Sequence, residues 1–180
     1  MKKRVALTTL SLALSVLPLC AQMTTEAGMQ GSVVFPQDDL RSAVGGRAGF
    51  NFGFHDSIDL QGGNELRPRI DFTRIDGGSF SASSLTSTTT VQGIGIGVDY
   101  LRYLEGRNRG LYGVAGLDLV WWNSDYRFGG SERKTAPSLM VGAGHRFNSA
   151  WSMEFTMDFS QFRASAGTAS TLRAGALYKF

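Results

Sequence analysis

From Trp151 to Ser160 the chain alternates without a break. Trp151, Met153, Phe155, Met157 and Phe159 are large and apolar, and Ser152, Glu154, Thr156, Asp158 and Ser160 between them are polar. A period of two puts successive side chains on opposite faces of a strand, so a slip of one residue would exchange the two faces completely. The same period recurs along the chain. Phe50, Phe52 and Phe54 alternate with Gly49, Asn51, Gly53 and His55, and Leu66, Pro68, Ile70 and Phe72 alternate with Arg67, Arg69, Asp71 and Thr73. Ile94, Ile96, Val98 and Tyr100 interleave with Gly93, Gly95, Gly97 and Asp99. Leu117, Leu119 and Trp121 lie opposite Gly116, Asp118 and Val120, and Leu139, Val141, Ala143 and Phe147 opposite Met140, Gly142, Gly144 and Arg146. With a first strand near Met29 to Phe35 and a last near Leu172 to Phe180, the pattern predicts eight strands. Pro68 cannot donate to a ladder, so it is expected at a strand start or a bulge.

Strands of about 10 residues have the length that crosses a bilayer when tilted. The connections fall into two kinds that alternate along the chain: Leu104 to Arg109, Asn148 to Ala150 and the stretch Asp56 to Glu65 on one side, and Pro36 to Gly46, Asp76 to Thr88, Asn123 to Thr135 and Arg163 to Ala169 on the other. Short turns at one end and longer loops at the other fit an up-and-down transmembrane barrel, except that the first turn is long. Alternation also suits a soluble barrel with its apolar face inward. By parity the polar face carries Arg67, Arg69, Asp71, Asp99, Asp118, Arg146, Glu154, Asp158, Arg173 and Lys179, five acids and five bases. Aromatic placement favours the membrane form. Tyr100, Tyr103, Phe147, Trp151, Tyr178 and Phe180 are expected at the end bearing the termini and Trp121, Trp122 and Phe162 at the other, as two interfacial belts.

Residues 1 to 21 have a basic start, Lys2, Lys3 and Arg4, then an apolar run from Val5 to Leu19, Pro18 within it and Ala21 before Gln22. That is the order of a Sec signal peptide. Its three basic residues account for the whole charge excess of 18 Lys+Arg over 15 Asp+Glu. The remaining chain, 22 to 180, is a single barrel domain with no net charge, which excludes the basic face that nucleic-acid binding needs. No later apolar run is long enough for a membrane helix. Cys20 is the only cysteine; it raises lipidation as an alternative to cleavage after Ala21, and cleavage there leaves no thiol for disulfides, catalysis or metal.

Leu172, Ala174, Ala176, Tyr178 and Phe180 form one alternating face that ends on an aromatic carboxy-terminal residue. This resembles the assembly signal of outer-membrane proteins. Together with the signal peptide and the strand pattern, the chain resembles the small eight-stranded outer-membrane β-barrel superfamily of OmpA and OmpX type. The resemblance implies an all-β, antiparallel up-and-down barrel in the outer membrane of a Gram-negative-type bacterium, surrounded by outer-membrane lipid and lipopolysaccharide, and inserted by the barrel assembly machinery as a monomer. Nothing follows the barrel, so the peptidoglycan-binding domain of full-length OmpA-like proteins is not expected.

An eight-stranded barrel is just wide enough for side chains to fill it. The ten inward charges therefore read as a paired plug, with Asp158 expected against Arg173, and Glu154 against Arg146 or Lys179. A narrow ion or solute path lined by the same groups is the alternative. The glycines at 93, 95 and 97 read as positions where bulk would overfill the lumen, since they lack the G-x-G-x-x-G spacing. Some barrels of this superfamily modify lipids, yet His55 and His145 sit in no Ser/His/acid arrangement, G-x-S-x-G is absent, and metal-site spacings are missing. Neither enzymatic activity nor a cofactor is expected. The stretch Asn123 to Thr135, with Tyr126, Arg127, Phe128, Arg133 and Lys134, is the candidate external contact loop, its cations suited to phosphates or another surface ligand.

Overall fold

Every alternating segment forms a strand in a computed structural model, which describes residues 25–77, 89–105, 108–126, 130–161 and 167–180. The strands are β1 (Thr25–Pro36), β2 (Gly49–Gln61), β3 (Asn64–Ile75), β4 (Thr89–Tyr103), β5 (Gly110–Tyr126), β6 (Ser131–Arg146), β7 (Trp151–Ser160) and β8 (Thr171–Lys179). Each pairs antiparallel with the next, and β8 returns to β1 from Gly28↔Lys179 to Pro36↔Thr171, which closes the barrel. Closure pairs the backbone around the ring and leaves no open side along the wall. The outward-facing apolar side chains of β2 to β7, among them Phe52, Ile70, Ile96, Leu117, Leu139 and Phe155, are exposed, and the ten charges that parity turns inward are buried. A soluble barrel requires the reverse. An exterior of this kind is satisfied by lipid and is costly in water.

Several expectations change. The first turn is short: β2 runs on to Gln61 and β3 begins at Asn64, with Gly62 (φ 63°) and Gly63 (φ 76°) between them. Two central residues at positive φ make a tight hairpin, for which Gly-Gly is suited. All three connections at the end bearing the termini are therefore short. Pro68 is neither a strand start nor a bulge but lies inside β3. Its missing donor faces β2, where the paired residues skip from His55↔Arg69 to Ile58↔Leu66. Asn123 to Thr135 is mostly strand and not loop: Asn123 pairs with Arg133 and Asp125 with Ser131. Tyr103 and Trp122 do not join the aromatic belts, because their parity turns both into the lumen, where they are buried. Tyr100, Phe147, Trp151 and Phe180 remain exposed at one end and Trp121 at the other; Phe162 lies outside the described residues.

The connection after β1 holds a six-residue helix, α1 (Asp38–Ala43). Asp38 and Asp39 in its first turn suit the positive end of the helix dipole. Tertiary contacts tie it down: Gln37 N–H donates to Ser170 O at 2.8 Å, and Thr168 N–H donates to Asp39 Oδ2 at 3.1 Å. Leu40 and Val44 are then fully buried among Val34, Ile75, Val91, Val120, Trp122 and Ala169. This apolar cluster stops the mouth of the barrel opposite the termini.

Candidate functional site

Below the apolar stopper the lumen is filled by charge. Arg67, Arg69 and Asp71 occupy alternate positions of β3, so one strand turns all three inward. Arg67 lies across the barrel. Its Nε and Nη2 donate to Asp99 Oδ2 at 3.0 and 2.9 Å, while Nη1 and Nη2 reach Glu154 Oε1 and Oε2 on β7 at 2.5 and 3.0 Å. Arg69 Nε donates to both Asp99 oxygens at 3.1 Å, its Nη2 to Asp118 Oδ2 at 2.6 Å, and its Nη1 to Asp71 Oδ2. Arg173 Nε lies 2.9 Å from Asp158 Oδ2, the expected pair, and its Nη1 3.8 Å from Asp71 Oδ1. Neutral groups complete the network: Asn51 Nδ2 donates to Asp71 Oδ1 at 2.8 Å and Tyr112 OH to Glu154 Oε1 at 2.8 Å. Bidentate guanidinium pairs of this kind hold geometry as well as charge. Room for them comes from glycine: a β-carbon at Gly116 would collide with the Asp99 carboxylate, and one at Gly97 with Asp118. The cavity bordered by Asn51, Arg67, Asp99, Glu154 and Arg173 measures only ≈ 30 Å³, space for about one or two waters.

Arg146 and Lys179 do not meet Glu154. They converge on Glu65, which the sequence pattern places in the first turn and the structure places inside β3. Arg146 Nη1 reaches Glu65 Oε2 at 2.9 Å, Arg146 Nη2 reaches Oε1 at 3.2 Å, and Lys179 Nζ lies 3.2 Å from Oε1 and 3.3 Å from Glu26 Oε2. Tyr103 OH donates to Glu65 Oε2 at 3.3 Å, and the Arg146 guanidinium stacks 4.9 Å from the Tyr103 ring centroid. A cavity of ≈ 240 Å³, bordered by Glu26, Ser57, Asp59, Glu65, Arg146 and Lys179, lies at the end bearing the termini. The ten inward charges thus divide into a central set of three guanidiniums with five carboxylates, and a lower set built on Glu65.

His55 points into the lumen and is buried, yet neither ring nitrogen has a hydrogen-bond partner among the described residues. His145 packs against Phe147 at 4.8 Å between ring centroids. Among the described residues no group of three or more His, Cys, Asp or Glu side chains is arranged to hold a metal ion. At the end away from the termini, Tyr126 closes β5 and its OH donates to Glu132 Oε2 at 3.0 Å. Arg133 is exposed on β6, Lys134 Nζ donates to Gln161 Oε1 at 3.0 Å, and Arg127 and Phe128 lie outside the described residues. At the other end Leu172, Ala174, Ala176, Tyr178 and Phe180 share the outer face. The Tyr178 ring sits 4.8 Å from Trp151 and 5.6 Å from Phe180, and Phe180 N–H donates to Ala27 O at 2.9 Å.

No family model and no curated protein matches the sequence. Solved structures do. Ail, the attachment invasion locus protein of Yersinia pestis, aligns with a TM-score of 0.56 at 14% identity, covering 87% of this chain and 97% of that one. Neisserial surface protein A aligns with a TM-score of 0.53 at 17% identity, over 87% and 97% of the two chains. The N-terminal β-barrel domain of Pseudomonas aeruginosa OprF gives 0.51 at 12% identity, over 88% and 100%. At such identities the likeness is one of fold: this chain has the closed eight-stranded architecture of those barrels.

Proposed function

We propose that the chain is an integral protein of a bacterial outer membrane whose barrel is a non-conducting anchor, and whose role is structural or one of surface contact rather than catalytic. The observation that carries this reading is the double closure of the lumen. Leu40 and Val44 stop one mouth, and the Arg67–Glu154 pair spans the middle from β3 to β7. An ion entering from the open end would have to part bidentate pairs in a low-dielectric interior, where a broken pair costs about 3–5 kcal/mol. The apolar wall supports residence in lipid, the aromatic outer face of β8 supports recognition by the assembly machinery, and outer-membrane lipid with lipopolysaccharide is the expected surround. Reconstituted into a planar bilayer, the purified protein should give no steady conductance. Large, reproducible current steps would defeat the proposal.

A further inference from the structure

On the outer face of β2 the apolar series Phe50, Phe52 and Phe54 does not run on to the turn. The next outward position is Asp56, and its side chain is only partly buried. A charge on a lipid-facing wall is costly unless it meets a partner, so its surroundings decide what it serves. Among the described residues the Asp56 carboxylate has one partner, the Ser57 N–H, which donates to Oδ1 at 3.0 Å, and no cation of those residues is paired with it.

The ladder between β2 and β3 is interrupted beside it. Pairing skips from His55↔Arg69 to Ile58↔Leu66, which leaves Asp56 opposite the compact ring of Pro68. The wall there forms an open depression of ≈ 660 Å³ bordered by Phe54, Asp56, Pro68, Ile70, Val98 and Leu117. Its height on the barrel follows from the register. Ala27, the β1 partner of Asp56, accepts from the Phe180 N–H at 2.9 Å, and Val98, the β4 partner of Pro68, lies two residues from Tyr100. Phe180 and Tyr100 belong to the aromatic belt at the end bearing the termini. The carboxylate thus stands where lipid headgroups meet hydrocarbon, and the apolar floor extends from it toward the other mouth.

We propose that this depression holds one lipid with a primary-ammonium headgroup, the ammonium on the Asp56 carboxylate and an acyl chain over Pro68, Val98 and Ile70. Charge and shape select the occupant together. A soluble amine leaves the apolar floor uncovered, and an anionic lipid meets the carboxylate with like charge. A choline headgroup is cationic but has no N–H to donate, whereas a primary ammonium has three, and charge-assisted hydrogen bonds to a carboxylate are the strong kind. The proposal rests on the residence of the wall in lipid and is independent of whether the lumen conducts. Its structural rival is an Asp56 that serves only the Ser57 N–H.

The test uses the full chain folded into bilayers of phosphatidylethanolamine, phosphatidylcholine and phosphatidylglycerol in equal parts, with insertion read by the heat-dependent gel shift. Lipids retained on the barrel after gentle transfer to detergent are counted by native mass spectrometry. The unmodified chain should retain one phosphatidylethanolamine, about tenfold over either other lipid. Asp56→Asn keeps an acceptor for the Ser57 N–H and loses the charge, so it should insert as before and lose the preference. Val98→Trp fills the floor with the carboxylate in place and should lower retention by about the same factor. Equal retention of the three lipids by the unmodified chain, or an unchanged preference in either variant, would overturn the proposal and leave the membrane reading standing. A chain that stays outside the bilayer would defeat both.

Discussion

Replacing Arg67 by Met keeps the length and apolar volume of the side chain and removes the charge that bridges β3 to β4 and β7. The two carboxylates it serves fare differently. Asp99 retains both bonds from Arg69 Nε at 3.1 Å, while Glu154 retains only the Tyr112 hydroxyl at 2.8 Å. Glu154 is thus the group left uncompensated, and stranding a buried charge costs about 3–5 kcal/mol. We expect Arg67→Met to lose about that much. Glu154→Gln, which cannot be stranded as an anion, should be far less sensitive to loss of Arg67: in that background Arg67→Met should cost about 2 kcal/mol less or better, the coupling typical of contacting residues in one network. Urea unfolding in lipid vesicles, followed by tryptophan fluorescence and by the heat-dependent gel shift, reads both numbers. A single-mutant loss below about 1 kcal/mol, or additivity within about 0.5 kcal/mol, would refute the claim that the lumen is held by this pair.

Two further substitutions separate wall from lumen. Phe155 is 65% exposed on the outer face of β7, so Phe155→Arg should destabilise the barrel by about 2–4 kcal/mol in bilayers if it lies near the midplane; a change near zero in the same vesicle unfolding assay would contradict a lipid-facing wall. On β5, Gly116→Ala drives a methyl into the Asp99 carboxylate, whereas at Gly113 nothing lies within 4 Å. The first should cost about 1–3 kcal/mol and the second should be neutral or stabilising by up to about 1 kcal/mol, as unfolding midpoints will show; equal effects would contradict the inside-outside assignment.

Parity along each strand was legible in the sequence, and it carried strand number, closure and the identity of the ten inward charges. Parity also decides two residues that position along the chain does not. Trp122 shares the even positions of Asp118 and Val120, and Tyr103 the odd positions of Asp99 and Leu101, so both belong inside; assigning them to the belts followed their place along the chain instead. Glu65 was hidden because Asp56, Ser57 and Asp59 put polar groups on both faces of β2 near its end, which reads as a loop, although Gly62 and Gly63 signalled a two-residue hairpin. Partner choice was beyond strand-neighbour reasoning. Arg67 and Glu154 are 87 positions apart on non-adjacent strands, and only the narrowness of the barrel lets a guanidinium reach across. α1 is too short to form by propensity alone; the burial of Leu40 and Val44 holds it, and that depends on side chains from five other strands or loops.

Trp121 and Trp122 are adjacent in sequence and face opposite ways: one is 41% exposed on the wall, the other 4% exposed in the lumen with Nε1 donating to Ser160 Oγ at 3.2 Å. Two single-tryptophan variants, each with the other two tryptophans changed to Phe, can be reconstituted in vesicles containing lipids brominated along the acyl chain. A barrel with its apolar face in lipid and its charges inside predicts strong quenching of Trp121 fluorescence and little or none of Trp122. Equal quenching of the two, or quenching of Trp122 alone, would contradict it.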